Sequence, residues 1–192
     1  MSEILNEPAS DNRPAIDEFL RAHGAADMPH PGGTLLQHLN RVSRRLADWG
    51  APPEVQTAGL CHATYGTDGF APSLLNLADR RVLVDLIGER PEALVHLYAS
   101  CDRAVTYPRL RAGERPAFRD RFAEADLQPV AEDLRAFLEI TAANELDVFE
   151  HNADLAARYG SAMYRLLEPV SSLLSAAAWD AVRRELGGGA AL

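Results

Sequence analysis

The stretch 34-TLLQHLNRVSRRLADWG-50 determines the fold class. Its apolar residues recur at spacings of four, three, four and three positions, which is the spacing of one face of an α-helix. These residues are Leu35, Leu39, Val42, Leu46 and Trp49. The glycine that follows the last of them is typical of a helix C-terminus. The stretch therefore predicts an amphipathic helix that buries one face.

The same helical spacing recurs along the chain, whereas strand-like alternation is nearly absent. Pro14, Pro53, Pro91 and Pro129 each stand where a first helical turn can begin. We therefore expect an all-α helical bundle formed by one domain, residues 14–186, between flexible tails at 1–13 and 187–192. The predicted helices span 34–49, 53–62, 77–87, 91–105, 129–157 and 161–186, and 111–125 is predicted to be a charged, irregular crossover.

Composition excludes several functional classes. All 19 basic residues are arginine, which excludes Schiff-base lysines and the lysine-dependent phosphate loop. A net charge of −9 opposes binding to nucleic acid or to an anionic membrane. The two cysteines form no closely spaced pair, and the N-terminal residues do not resemble a signal peptide. We expect a cytoplasmic protein that binds small molecules or proteins, with no nucleic-acid or membrane partner.

Three polar residues lie on or beside apolar helix faces. Helical phase turns His38 and His62 inward, and it places Asp102 at the edge of its buried stripe. The neighbours of His62 on its face include Ala58 and Gly59, which are small enough for another helix to approach closely. Two imidazoles and a carboxylate are ligand types for iron, manganese or zinc. The alternative is that both histidines are hydrogen-bonded core residues and that Asp102 pairs with an arginine.

Two further features are compatible with a binding site. Asn144 and Glu145 fall within or beside the inner face of the predicted helix 129–157, where they can support a metal-bound histidine or simply join two helices. Residues 103–121 carry six arginines and only two acids, a local charge of +4. This segment can hold an anion, or it can be a solvated crossover with surface ion pairs. The six are Arg103, Arg109, Arg111, Arg115, Arg119 and Arg121.

The order of these motifs resembles the HD superfamily, which consists of all-helical, metal-dependent phosphohydrolases and a few di-iron oxygenases. The similar segments are GGTLLQHLNRV with His38, AGLCHATYGT with His62, and YASCDRAVTYPRL with Asp102. Over about residues 30–150 the chain is most similar to the branch that hydrolyses guanosine tetraphosphate alarmones. It is still more similar to a family of small HD-like proteins that share HPGGTLLQHL, WGAP, AGLCHATYGTDGF, IGERPEALVHLYASCDR and FLEITAANEL.

One departure from the HD pattern changes the expected metal site. Ala63 stands where the aspartate of the His-Asp pair is expected, and Gly66 and Thr67 replace a later acidic pair. The resemblance therefore implies one divalent transition metal, Fe, Mn or Zn, where HD hydrolases often hold two. Its expected ligands are His38, His62 and Asp102, with His30 as a fourth.

The same resemblance suggests a role for each remaining polar residue near the motifs. The expected catalytic residues are Tyr65 and Thr67, which would orient the substrate, and Asp68 and Glu145, which would accept a proton. Arg103, Arg109 and Asn144 are expected to bind the substrate, a small anionic molecule. The predicted function is a metal-dependent hydrolase or oxygenase, and the alternative is a non-catalytic HD-like module that binds a ligand or a protein.

Overall fold

The structure is a computed structural model that describes residues 12–110 and 117–189. These residues form nine α-helices and two small antiparallel sheets, which confirms the predicted all-α bundle. The helices are α1 (Arg13–Ala22), α2 (Leu35–Asp48), α3 (Pro53–Cys61), α4 (Arg80–Ile87), α5 (Glu89–Ser100), α6 (Arg103–Thr106), α7 (Ala131–His151), α8 (Ala153–Leu167) and α9 (Ala176–Leu186). The strands are β1 (Pro29–His30), β2 (Gly33–Thr34), β3 (Phe118–Asp120) and β4 (Ala125–Leu127). Short 3-10 segments cover Leu77–Asp79, Tyr107–Arg109, Glu168–Leu173 and Gly187–Gly189.

Helix α2 agrees with its prediction to within one residue at each end. A capping box starts it: the Thr34 hydroxyl accepts from Gln37 N, and the Gln37 side chain accepts from Thr34 N. The leucines and valine of the predicted stripe are fully buried, and Trp49 is partly buried at the C-cap. Periodicity and capping therefore specify this helix locally.

Helix α3 packs closely on α2, as the small residues near His62 predict. A Cβ added at Gly59 would lie 2.3 Å from Leu46 Cδ1 and 3.6 Å from Val42 Cγ1. The absence of a side chain at Gly59 therefore sets the distance between the two helices. This contact brings the end of α3, with His62, towards the middle of α2.

The long helix α7 lies at the centre of the bundle and contacts α2, α3, α5, α8 and α9. It is buried on most of its circumference, as expected for a helix enclosed by others. The polar residues Asn144 and Asp147 are among those it buries. The packing of α7 against α2 places them beside His38.

The predicted helix 91–105 ends earlier, at Ser100. Cys101 leaves the helical conformation and pairs with Asp120, and Asp102 N donates a hydrogen bond to Arg119 O. Both partners belong to the β3–β4 hairpin, which occupies part of the predicted irregular crossover. The prediction was wrong here because pairing with a distant segment replaced the last helical turn.

The two predicted helices 129–157 and 161–186 are divided differently. Asn152 is extended, with φ −147° and ψ 95°, and its side chain accepts from Leu155 N to start α8. Helix α8 continues past residue 161, where the second helix was predicted to begin. It is followed by the 3-10 segment Glu168–Leu173, which has Pro169 near its start. Ser175 caps α9 through Ala178 N. The side-chain caps at Asn152 and Ser175 set the starts of α8 and α9. The apolar periodicity had instead predicted a single break between residues 157 and 161.

Parts of the predicted tails and crossover lie outside the described residues, namely 1–11, 111–116 and 190–192. Of the predicted N-terminal tail, Arg13 already belongs to α1, and Gly187–Gly189 of the predicted C-terminal tail form a 3-10 turn. Within the described residues, none of the helices combines the length and the apolar character needed to cross a lipid bilayer.

Candidate functional site

Three histidines from separate elements meet in the interior. His30 comes from β1, His38 from α2 and His62 from the C-cap of α3. The His30 and His38 rings are stacked with centroids 4.0 Å apart, and the His38 and His62 rings meet edge to face at 5.3 Å. Both His38 and His62 are buried, so they face inward as helical phase predicts.

Asp147 fixes the orientation of His38. His38 Nδ1 lies 2.6 Å from Asp147 Oδ2, and the guanidinium of Arg41 donates to both oxygens of the same carboxylate at 2.7 and 2.9 Å. Burial would raise the pKa of Asp147, but the hydrogen bonds from His38 and Arg41 outweigh it and lower the pKa to about 2. The carboxylate is therefore ionised, and His38 Nδ1 carries a proton that it donates.

Sequence reasoning missed Asp147, although a signal for it exists. Asp147 follows Asn144 by three positions on α7, so the two side chains share one face of the helix. Both are buried, and both contact the same imidazole. Two polar residues at this spacing inside an apolar helix indicate a polar contact with another helix.

The other side of the His38 ring faces an amide oxygen. Asn144 Nδ2 donates to Glu145 Oε1 at 3.1 Å, and this contact turns Asn144 Oδ1 towards His38 Nε2, also at 3.1 Å. A neutral ring with its proton on Nδ1 has a lone pair on Nε2, so two lone pairs would face each other. A proton or a metal ion between Nε2 and Oδ1 removes this repulsion.

His62 has an unambiguous tautomer. Its Nδ1 lies 2.7 Å from the carbonyl oxygen of Gly59, which can only accept, so Nδ1 carries the proton. Burial, followed by the charge of His38, lowers the pKa of His62 to about 3. The neutral ring therefore keeps a lone pair on Nε2.

His30 is neutral for a similar reason. Burial, followed by the charge of His38, lowers its pKa to about 4. Its Nδ1 is buried and makes no hydrogen bond of normal geometry to any described residue. A buried nitrogen without a partner is unfavourable in an empty site and favourable beside a cation or a donor.

A cavity of about 240 Å³ opens beside His30 and His62, and His38 does not line it. Eight residues singled out from the sequence line it: His30, His62, Ala63, Thr67, Asp68, Arg103, Asn144 and Glu145. Arg103 Nη1 donates to Glu145 Oε1 at 3.1 Å, and Arg103 Nη2 donates to the Tyr98 hydroxyl at 3.0 Å. Two of the five N–H groups of this guanidinium are thereby occupied, so donors remain for a bound anion.

The loop 65–70 is tied to the start of α6 through Asp68. Its Oδ2 accepts from the backbone N of Arg103 at 2.8 Å, and Thr67 exchanges two backbone hydrogen bonds with Phe70. Asp68 therefore positions Arg103 relative to the cavity. The other carboxylate oxygen of Asp68 is the one left for its predicted role as a proton acceptor.

Three predicted site residues lie elsewhere. Asp102 accepts from Val105 N as the N-cap of α6 and does not line the cavity. The Tyr65 hydroxyl donates to Glu92, which also pairs with Arg80. Neither Asp102 nor Tyr65 lines the cavity, and the hydrogen bonds of both stabilise local structure.

Arg109 is the third of these residues, and it pairs with Asp126 of β4 at 3.0 Å. Arg119 contacts the same carboxylate, and Arg121 donates to Ala99 O, so the described arginines of this segment other than Arg103 are engaged away from the cavity. Arg111 and Arg115 lie outside the described residues.

Among the described residues, the group of histidine and carboxylate side chains whose spacing could hold a metal ion lies on α7, and the three clustered histidines do not meet the same spacing. Asp147, Glu150 and His151 each offer one ligand atom within 4.8 Å of the others. Each is already engaged, however. Asp147 pairs with Arg41, Glu150 pairs with Arg45, and His151 Nδ1 lies 2.9 Å from Asp147 O. A metal there would have to displace these cations, and we interpret the group as part of an ion-pair network.

Comparison with protein-family models finds a match over part of the chain. Residues 19–103 are similar to the model of a family described as a domain of unknown function (DUF6817). The match contains all three clustered histidines and ends at Arg103, so Asn144, Glu145 and Asp147 lie outside it. Neither the comparison with curated proteins nor the comparison with solved structures found a match.

Proposed function

We propose that this protein is an HD-type, metal-dependent hydrolase that acts on a small anionic substrate. The observation that carries the proposal is the hydrogen bonding of His38 and His62. Each donates its Nδ1–H to a protein acceptor, Asp147 or Gly59, and each is buried beside the same cluster. Metal-binding histidines characteristically donate the second ring nitrogen in this way, which leaves Nε2 for the metal.

Two histidines and one amide would hold one divalent transition metal in this proposal. Its donors would be His38 Nε2, His62 Nε2 and Asn144 Oδ1. The predicted fourth ligand, His30, is not among them, because the ligand atoms of the three histidines do not all lie within 4.8 Å of one another. Two ligand atoms of one metal stand about 3.0–3.4 Å apart when each bond is about 2.0–2.1 Å long. The observed separation of 3.1 Å between His38 Nε2 and Asn144 Oδ1 matches that range. Imidazole donors suit zinc and iron and are compatible with manganese.

Two carboxylates behind the donors would balance the charge of a cation. Asp147 contacts His38, and Glu145 contacts Asn144, so each carboxylate acts through a neutral ligand. In this arrangement Asn144, and not the predicted Asp102, supplies the oxygen donor. The metal site therefore differs from the expected set of two histidines and one carboxylate.

The chemistry proposed is hydrolysis. A bound divalent ion would lower the pKa of a coordinated water and polarise the substrate. Arg103 would bind the anionic group with its remaining N–H donors. Glu145, whose Oε1 is already held by Arg103 and Asn144, would accept a proton through Oε2. Asp102 was expected as a ligand in both the hydrolase and the oxygenase, and it caps α6 instead. An oxygenase of the two-histidine, one-carboxylate type specifically needs such a carboxylate ligand, so the hydrolase is the preferred proposal.

A non-catalytic binding module is the second candidate, and Ala63 favours it. The methyl group of Ala63 is buried at the cavity wall, at the position where the HD pattern has an aspartate. A protein that had lost the chemistry would retain the cavity and the arginine but bind no metal. Metal content therefore distinguishes the two candidates.

The deciding experiment is metal analysis of protein purified without chelator, as isolated and after incubation with Zn, Mn or Fe(II) followed by desalting. We expect one metal per chain in the wild type and in His23→Ala, a control on an exposed histidine, and at least a tenfold loss in His62→Ala and His38→Ala. Circular dichroism checks that each variant is folded. Hydrolysis of phosphoesters by the zinc or manganese form is the expected activity. A wild type that binds none of the three metals, or an iron form that consumes oxygen and hydrolyses nothing, would overturn the proposal.

A further inference from the structure

An apolar groove of about 900 Å³ adjoins the small polar cavity. The two spaces share four lining residues, Arg103, Glu145, Val148 and Leu155, so the ion pair between Arg103 and Glu145 stands at their junction. The size is within the range of small-molecule sites in proteins. The groove therefore extends the candidate site from the histidine cluster towards the surface of the bundle.

One face of α8 forms a wall of this groove. Leu155, Tyr159, Ala162 and Leu166 are spaced four, three and four positions apart and all line it. An apolar stripe of this kind normally packs into a core. Here Tyr159 is 44% exposed and Ala162 is exposed, whereas Leu155 and Leu166 are partly buried against the core. Arg158 lies over the Tyr159 ring, with Cζ 5.1 Å from its centroid. The middle of the stripe therefore leaves apolar surface accessible in the groove.

The polar groups of the groove are few, and they favour an anion. The hydroxyl of Tyr107 is buried and has no hydrogen-bond partner among the described residues. The Arg103 guanidinium lies over the Tyr107 ring, with Cζ 5.9 Å from its centroid, and keeps unused donors. Arg165 also lines the groove and is exposed. Two arginines against Glu145 give the groove a net positive charge in a chain of net charge −9.

We propose that the groove binds an amphiphilic anion, a molecule with one carboxylate or phosphate head and a hydrocarbon body. The head contacts Arg103 and the Tyr107 hydroxyl at the junction, and the body lies along the face of α8 that carries the exposed Tyr159 and Ala162. This inference rests on the proposed function in one respect, because it names the substrate class of the same site. Binding of the amphiphile itself requires no metal, since its contacts come from protein side chains.

The test is calorimetric titration of the full chain, in the presence of chelator, with decyl phosphate below its micelle concentration. Inorganic phosphate and decanol represent the head and the body alone. We expect decyl phosphate to bind at least tenfold more tightly than either, because only it satisfies both the arginine and the apolar stripe. Equal binding of decanol, equal binding of phosphate, or no binding of decyl phosphate would overturn the inference.

Two variants locate the binding. Ala162→Trp fills the groove from an exposed position of α8, and Ala157→Trp places the same side chain at an exposed position of α8 that does not line the groove. We expect the first to weaken decyl phosphate binding at least tenfold and the second to leave it unchanged. Equal affinity of the two variants would assign the binding to another surface. If the groove instead binds a protein, decyl phosphate should not bind to it.

The two proposals fail independently. If the chelated protein binds decyl phosphate but the protein takes up no metal once chelator is absent, the groove proposal stands and the hydrolase proposal fails. If the protein takes up one metal per chain through His62 but does not bind decyl phosphate, the metal-site proposal stands and the amphiphile proposal fails. Measuring both on one preparation separates these results.

Discussion

His38 Nδ1 and Asp147 Oδ2 lie 2.6 Å apart although 109 positions separate the two residues in the chain. The contact joins α2 to α7 and is closed on the other side by Arg41, which donates to the same carboxylate. It is the structural centre of the histidine cluster, because it fixes which nitrogen of His38 faces Asn144. The first prediction concerns this contact.

Asp147→Asn should destabilise the protein by about 2–4 kcal/mol, since it removes the charge that a buried His38 and a half-buried Arg41 both use. Urea unfolding followed by circular dichroism measures the change. The control is Asp126→Asn, which alters an exposed pair with Arg109 and should change stability by less than about 1 kcal/mol. Equal losses of stability in the two variants would contradict the expectation that the buried contacts of Asp147 contribute more than the exposed ion pair of Asp126.

Acidification should destabilise the chelated protein from about pH 6.5 downwards. The pKa of His62 is lowered to about 3 and that of His30 to about 4, mainly by burial. Below an unfolded-state pKa of about 6.5, the unfolded chain binds protons that the folded chain does not, so falling pH favours unfolding. The free energy of unfolding should fall by between about 1 and 2 kcal/mol per pH unit for His62. The effect should be smaller for the more accessible His30.

Urea unfolding at pH 7.5, 6.5, 5.5 and 4.5 measures this dependence. His62→Gln should reduce the slope by about one proton because glutamine does not titrate. A wild-type stability that stays constant between pH 6.5 and 4.5 would show that these rings are not held neutral.

Ala63→Asp tests whether the missing HD aspartate can simply be restored. Ala63 is buried at the cavity that Glu145 also lines, so an added carboxylate would share this space with an existing one and lose most of its hydration. We expect a loss of about 1–3 kcal/mol in stability. Ala63→Asn, which has the same shape without the charge, separates the effect of size from that of charge. Metal content and melting temperature of the three proteins decide: a stable Ala63→Asp protein with more bound metal would contradict this expectation.

Gly59→Ala should destabilise the contact between α2 and α3. The new methyl group would lie 2.3 Å from Leu46 Cδ1 in a packed core, so Leu46 or the whole helix must shift. The gain in helix propensity, about 1 kcal/mol, is smaller than the expected packing loss of about 1–3 kcal/mol. Gly188→Ala, with open space around it, is the matched control in thermal unfolding. A Gly59→Ala protein more stable than the wild type would contradict so close an approach of the two helices.

Tyr65→Phe separates the observed role of Tyr65 from the predicted one. Its hydroxyl donates to Glu92 at 2.7 Å, and burial followed by this hydrogen bond raises its pKa well above the usual range. Removing the hydroxyl should lower stability by about 1–2 kcal/mol and leave metal content and decyl phosphate affinity unchanged. A variant of normal stability with impaired ligand binding would return Tyr65 to the site.

Local sequence determined the helical character of the chain and the inward orientation of its key histidines. The stripe from Leu35 to Leu46 fixes α2 because side chains three and four positions apart share one face of any helix. The same geometry turns His38 inward before its partners are known, and the small Gly59 indicates a close neighbour. These properties depend on spacing along one helix, so sequence alone reveals them.

Tertiary structure decided which partners those histidines meet. Helical phase gives the direction of a side chain from its own axis but not the helix that faces it. Asp147 was therefore missed, and Asp102, which was expected in the cluster, caps α6. Helix ends depend on individual hydrogen bonds, such as the one between Asp102 N and Arg119 O, which link distant segments. The α8 stripe at Leu155 and Tyr159 looks like any core-facing stripe in sequence. Tertiary packing buries Leu155 partly against the core and leaves Tyr159 exposed, because burial depends on the neighbours that the folded chain supplies.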